Sequence, residues 1–286
     1  MPAMPSRIVA LLTDFGHRDP FVGIMKGVML GINPDLQLID ISHAVTPQSI
    51  REAAIVLSTT CQYFPPHTIF LVVVDPGVGG TRRPIVVETA EHVFVAPDNG
   101  VLGPALEHVE VRRVIHATET RYFRQPISRT FHGRDVFAPL AAWLSRGAQP
   151  HEMGTTVDDL QRLELPRPRV EASGEVAGEV IYQDRFGNLI TNIAEVWITE
   201  LWGPPPWHGL EAHIDASVIR GLDSHYAQRS PQELGIIINS WGLFEIFTYT
   251  GSAARATGAV EGSPVRLRRA HTRTERDEGA GESPVR

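Results

Sequence analysis

Ile69-Phe70-Leu71-Val72-Val73-Val74-Asp75-Pro76-Gly77-Val78-Gly79-Gly80-Thr81-Arg82-Arg83 is the stretch on which the fold turns. Its first six residues are all apolar and mostly β-branched. They read as a strand buried on both faces, and Asp-Pro-Gly reads as the loop leaving its carboxyl end. The same signature occurs twice more, in Leu11-Leu12-Thr13-Asp14-Phe15-Gly16 and Val95-Ala96-Pro97-Asp98-Asn99-Gly100. Around these lie further strand patterns at Leu36–Ile41 and Ile85–Val87. Phe21, Ile24, Met25 and Val28 recur at helical spacing, and a second helix is expected to start at Thr46-Pro47 and bury Ile50, Ala53, Ala54, Leu57 and Cys61. Phe137 to Leu144 reads as a third helix, stopped at Gly147. Alternation of this kind predicts an α/β domain with a largely parallel sheet covered by helices.

The texture changes after Gly147. Residues 147–172 read as a linker with one short helical stretch at 157–163, and beyond Val176 strand patterns are joined by Gly, Asn and Asp turns. The expected organisation is an α/β domain over 1–165, a small all-β, barrel-like domain over 166–268, and a disordered tail over 269–286.

Composition bounds the function. The chain has 286 residues, and 26 basic against 33 acidic residues give a net charge of −7, which argues against a nucleic-acid partner and suits a small cationic ligand. No apolar run approaches the ~20 residues that span a bilayer, and no secretory leader is read at the start, so a cytoplasmic protein without a membrane partner is expected. The single cysteine, Cys61, excludes a disulfide framework and reads as a buried, inert thiol. No His-x3-His spacing supports a metal site.

Three aspartates at the carboxyl ends of strands, Asp14, Asp75 and Asp98, can converge on one crevice, where open α/β sheets bind ligands. Each could equally cap the turn that follows it. The glycine loop after Asp75 lacks the Lys-Ser/Thr of a phosphate loop, so a nucleoside triphosphate site is not expected. His132, in Thr130-Phe131-His132-Gly133-Arg134-Asp135, sits at a helix start that favours the neutral imidazole. In the second half, Asp184-Arg185-Phe186-Gly187-Asn188 and Asn239-Ser240-Trp241-Gly242 group acid, amide and aromatic side chains that could hold an amino-acid head group and a planar base. Turn chemistry alone also accounts for both.

Taken in order, TDFG at 13–16, ISHAVTPQ at 41–48, VDPGVGGTRR at 74–83, APDNG at 96–100, FHGRD at 131–135, DRFGNLITNI at 184–193 and NSWG at 239–242 resemble the S-adenosyl-L-methionine (SAM) hydroxide adenosyltransferases. These are adenosine-forming SAM hydrolases related to the fluorinases and chlorinases, and the resemblance runs from about Ile8 to Leu267. It implies a homotrimer with sites at subunit interfaces, SAM as substrate and no cofactor. It implies a water-handling triad of Asp75, Arg82 and His132, with Arg83 the alternative to Arg82. Asp14 would hold the ribose; Asp184, Asn188 and Ser240 the methionine end; Phe186 and Tyr226 the adenine. His132-Gly133 and Asp75 stand where the halogenating relatives differ, which implies water or hydroxide as nucleophile. Trp241 replaces an arginine of the fluorinases, so the carboxylate of methionine would meet backbone donors there. Two other functions fit the same residues: a SAM- or adenosine-binding protein without turnover, and a metal-assisted nucleotide hydrolase using Asp14, Asp75 and Asp98.

Overall fold

The computed structural model describes residues 8–269, and the expected tail lies outside them apart from Arg269. The chain divides between Leu165 and Pro166 into two compact units.

The first unit runs β1 (Ile8–Thr13), α1 (Phe21–Ile32), β2 (Gln37–Ser42), α2 (Ile50–Thr60), β3 (Ile69–Val73), β4 (Pro84–Thr89), β5 (Val93–Pro97), α3 (Gly103–Leu106), β6 (Val111–Ala117), α4 (Ala138–Ser145) and β7 (Gly154–Val157). Its sheet has the order β2-β1-β3-β5-β4-β6-β7. The strands β2, β1, β3 and β5 are mutually parallel; crossovers through α1 and α2 link the first three in the chain, and β3 reaches β5 by way of β4. The strands β4, β6 and β7 extend that edge in antiparallel fashion. The turn at 90–92 between β4 and β5 is too short for a crossover, so these strands must pair as a hairpin.

Alternation along the strands explains the unbroken apolar runs. Val9 and Leu11 of β1 and Ile69, Leu71 and Val73 of β3 pack on one side with Met25 and Met29 of α1 and Leu140 of α4. Ala10, Leu12, Phe70 and Val72 pack on the other with Ala53 and Leu57 of α2. Each buried Leu or Phe contributes roughly 1.5–3 kcal/mol, so a polar residue on either face would be costly.

Two local expectations are corrected. The second helix begins not at Thr46-Pro47 but after Ser49, whose hydroxyl accepts from the Glu52 backbone N–H. Gln48 adopts φ +68 and so breaks any earlier helical turn. Residues 158–163 form no helix. Leu160 is instead drawn to the core, while the backbone of Leu163 passes Gly100 so closely that a Cβ there would lie 3.0 Å away.

The second unit contains β8 (Arg169–Val170), β9 (Val176–Gln183), β10 (Leu189–Ala194), α5 (Glu195–Trp202), β11 (Leu210–Ile214), β12 (Ser217–Arg220), β13 (Leu234–Ile238), β14 (Leu243–Thr248), α6 (Ala253–Thr257) and β15 (Pro264–Arg269). Its antiparallel sheet has the order β12-β11-β15-β9-β10-β14-β13, with β8 against β9. A bridge from Asp223 to Ile237 of β13 brings the two ends of that order together, giving the nearly closed barrel expected. One face of every strand but β8 fills it, as with Leu210, Ala212 and Ile214 of β11 and Phe244 and Ile246 of β14. Among the described residues no helix is long and apolar enough to cross a membrane.

Candidate active site

Asp14 and Asp75 sit just past the carboxyl ends of the neighbouring parallel strands β1 and β3, and Asp98 just past β5. Their partners differ. Both oxygens of Asp75 accept from Arg82 Nε, at 2.9 and 3.0 Å, and Arg82 Nη2 also reaches Oδ2. The same Nη2 lies 2.7 Å from His132 Nδ1. A guanidinium has only donors, so Nδ1 is the acceptor and a neutral His132 carries its hydrogen on Nε2. Arg82 also lies over the Phe137 ring, 5.1 Å from its centre. Burial, followed by the Arg82 charge, holds the His132 imidazole below its ordinary pKa. Asp75, Arg82 and His132 therefore form one nearly buried chain of charge-assisted contacts.

Arg83 turns elsewhere. Its Nε donates to Asp98 Oδ2 at 2.8 Å and its Nη1 to Asp159 Oδ1 at 2.6 Å, while Asp98 Oδ1 accepts from the Gln161 N–H. The pair Arg83–Asp98 thus clamps the segment leading out of the first unit, and Asp98 acts as a brace. Among the described residues no group of three or more His, Cys, Asp or Glu side chains is placed to hold a metal ion.

His132 opens a π-helical turn, Gly133–Phe137, that runs directly into α4. The turn is anchored by Asp135, which the sequence reading overlooked. It is fully buried and accepts from Arg134 Nε at 2.7 Å, Arg124 Nη1 at 3.3 Å and the Ser128 N–H at 2.9 Å. Gly133 is closely packed there: a Cβ would lie 3.1 Å from Met25 Sδ and 3.2 Å from the Phe131 ring, so those side chains would have to give by a few tenths of an ångström. The rings of Phe15 and Phe21 each stand edge-on to Phe131 and are tilted against one another at this corner, with centres 5.2–5.9 Å apart. Asp14 is half-buried, and its Oδ2 accepts from the Gln48 N–H at 2.7 Å.

The second unit assembles its own cluster from turns. Asp184 Oδ1 accepts from the N–H groups of Phe186 and Asn188 at 2.9 and 2.8 Å, and Oδ2 from Asn188 Nδ2 at 3.0 Å. Asn188 is buried, whereas Phe186 is 75% exposed. Asn239 Oδ1 accepts from the N–H groups of Trp241 and Leu243, closing the turn that presents Ser240 to solvent. Trp241 packs against Tyr182, ring centres 5.5 Å apart. Tyr226 stands edge-on to Phe247, and its hydroxyl donates to Glu245 Oε1 at 2.9 Å. Glu245, buried within β14, also accepts from Asn239 Nδ2 at 3.1 Å; burial pushes its carboxyl above the ordinary value, and the nearby Asp184 charge adds to that. A lone acid in the apolar run Leu243–Phe247 is the sequence signal that could have found it. Cys61 is half-buried, and that burial raises its pKa.

Comparison with known proteins agrees with this arrangement along the chain. The N-terminal domain of the SAM hydroxide adenosyltransferases matches residues 9–154 and the C-terminal domain matches 178–266. An (R)-S-adenosyl-L-methionine hydrolase from Salinispora tropica is 39% identical over 266 residues, covering 92% of this chain and 98% of that protein. A fluorinase from an Actinoplanes species is 28% identical over 219 residues, covering 68% of this chain and 74% of that protein. A crystal structure of an uncharacterised conserved protein from Thermotoga maritima superposes with a TM-score of 0.85 at 35% identity, covering 91% of this chain and all of that one. On these grounds the chain belongs to the SAM hydroxide adenosyltransferase family.

Proposed function

We propose that this protein hydrolyses SAM to adenosine and L-methionine, with water attacking C5′ of the sulfonium substrate. The observation that carries the reading is the joined Asp75–Arg82–His132 chain at the strand ends. Sulfonium is already a good leaving group. As the water oxygen bonds to C5′, the C5′–S bond breaks and its electron pair returns to sulfur, so methionine departs as a neutral thioether. No acid is needed to expel it; what the protein supplies is an oxygen held in line with the bond that breaks.

In this proposal Arg82 N–H and His132 Nε2–H, the latter shared with the Ser128 carbonyl, hold that oxygen and stabilise its growing hydroxide character, while its proton passes to solvent. Asp75 keeps the guanidinium in place, and Arg82 in turn fixes the imidazole tautomer. With Nδ1 engaged by Arg82, His132 serves as a donor through Nε2. Asp14 holds the ribose hydroxyls; Asp184, Asn188 and Ser240 hold the methionine end. Phe186 stacks on adenine, whereas Tyr226, tied to Glu245, lines the site through its ring alone. Trp241 contributes its backbone N–H and the packing of its ring. SAM is the substrate and no cofactor takes part. The proposal includes a homotrimer with sites at subunit interfaces and a cytoplasmic location; light scattering tests the first, fractionation the second.

Incubation of the purified protein with SAM, followed by chromatography, tests the reaction. Adenosine and methionine in equal amounts, with yield indifferent to chelator and halide, are expected. Unchanged SAM with saturable binding would replace the reading with that of a sensor, and loss of activity on chelation with that of a metal-assisted hydrolase.

A further inference from the structure

The segment ISHAVTPQ at 41–48 carries no role in the reaction as proposed, yet it touches the Asp14 turn three times. The Gly16 N–H donates to the His43 carbonyl at 2.7 Å, the Gln48 N–H donates to Asp14 itself, and His43 Nδ1 lies 2.8 Å from Thr13 Oγ1. Thr13 and the His43 side chain are completely buried. Behind them, His43 Nε2 lies 2.9 Å from Asp40 Oδ1, and Asp40 Oδ2 accepts from Lys26 Nζ at 2.6 Å. Lys26 is the one lysine in the chain.

His43 Nε2 faces the Asp40 carboxylate as an ion-pair contact without an aligned hydrogen bond. The carboxylate charge favours a hydrogen on Nε2, which leaves Nδ1 of the neutral ring to accept from the Thr13 hydroxyl. Thr13 Oγ1 then has its lone pairs for the Phe15 N–H, which lies 3.3 Å away. Burial, opposed by Asp40, keeps the ring in this neutral form. Residues before and after Asp14 are thus fastened to His43, Thr13 by its hydroxyl to the imidazole and Gly16 by its N–H to the His43 carbonyl.

We infer that His43 is a positioning residue for Asp14, held in one tautomer by the Lys26–Asp40 pair, and that it tightens binding of the ribose part of the substrate without touching it. This rests on the role proposed for Asp14. It separates two functions within the site: the Asp75 chain serves the reacting oxygen, whereas the His43 chain serves affinity.

The test is a double-mutant cycle between Thr13 or His43 and Asp14, read as KM and kcat for adenosine release and, separately, as adenosine affinity by calorimetry. Thr13→Val keeps the volume and removes the hydroxyl, so it probes the link even where His43→Ala fails to fold. Loss of this one contact is expected to raise KM and weaken adenosine binding about ten-fold, with kcat little changed. Thr13→Ser is expected to restore both. In an Asp14→Ala background, Thr13→Val should add almost nothing. Independent, multiplicative effects, or a fall in kcat at constant KM, would overturn the inference. If the wild-type protein releases no adenosine from SAM, the proposed reaction fails while calorimetry still reads the coupling. If it also binds no adenosine, both fall.

Discussion

The two units build their clusters by opposite means. In the first, Asp75, Arg82 and His132 span 57 residues of sequence and meet only because β3, the glycine loop and the turn before α4 end at one edge of a sheet. In the second, Asp184 is satisfied by Phe186 and Asn188, and Asn239 by Trp241 and Leu243, all within four residues. Long-range pairs between charged side chains fix directions in space and suit an atom that must be aimed. Local turns fix the backbone and leave groups such as Ser240 and Phe186 open to a ligand.

Arg82→Ala should break this contrast most severely. It leaves Asp75, whose side chain is 6% exposed, without its cation and His132 without its donor. A loss of about 3–5 kcal/mol of stability and about 10²–10³-fold in kcat is expected, measured by denaturant unfolding and by adenosine release. Arg83→Ala removes a comparable pair from Asp98 and should cost stability while sparing most of kcat. Equal kinetic damage from both would erase the distinction drawn between the two arginines.

Glycines sharpen the comparison next. Gly79 has φ +75, and a Cβ there would lie 2.3 Å from the Arg129 carbonyl oxygen, backbone that cannot yield cheaply. Gly242 has φ +73 but open space around it. Gly79→Ala should therefore destabilise by about 2–4 kcal/mol and Gly242→Ala by about 1–2 kcal/mol, compared by urea denaturation. A change of the same size as at Gly242 is expected from Asp184→Ala, about 1–2 kcal/mol for the lost turn acceptor, together with a raised KM for SAM and little change in kcat.

The finest effect is a difference in pH response. Burial holds His43, His92 and His132 of the first unit below the ordinary 6.5, so the unfolded chain takes up protons there that the folded unit refuses. Their contribution to stability is present above about 6.5 and is lost as pH falls toward the lowered values. Glu245 of the second unit is raised above 4.5, so its folded form binds a proton first and acidification toward 4.5 stabilises it. Hydrogen exchange at pH 7 and pH 5, corrected for intrinsic rates, should show protection falling in β1–β3 and holding or rising in β13–β14. Parallel shifts in both would contradict this account.

Much of the first unit was legible because burial on both faces leaves only apolar runs, and period-2 alternation was not needed to see them. The antiparallel edge of β4, β6 and β7 was harder to read. Val111–Ala117 mixes arginine and histidine with valine, since one end of β6 is exposed. The helix start at Ser49 was missed because Thr46-Pro47 satisfies the same local rule, and only the left-handed Gln48 rejects it.

By itself, then, the sequence determined the alternation of strands and helices, the acid-then-glycine loops at strand ends and the family to which their order belongs. These rest on short-range preferences and on which residues avoid water. Tertiary structure alone decided that Arg82 and not Arg83 meets Asp75, that Asp98 braces a loop, and that His43, Asp135 and Glu245 stand behind the residues in front. Adjacent side chains leave the backbone in different directions, and a buried polar group is identified by its partners, which lie up to tens of residues away and come within reach only when the sheet is assembled.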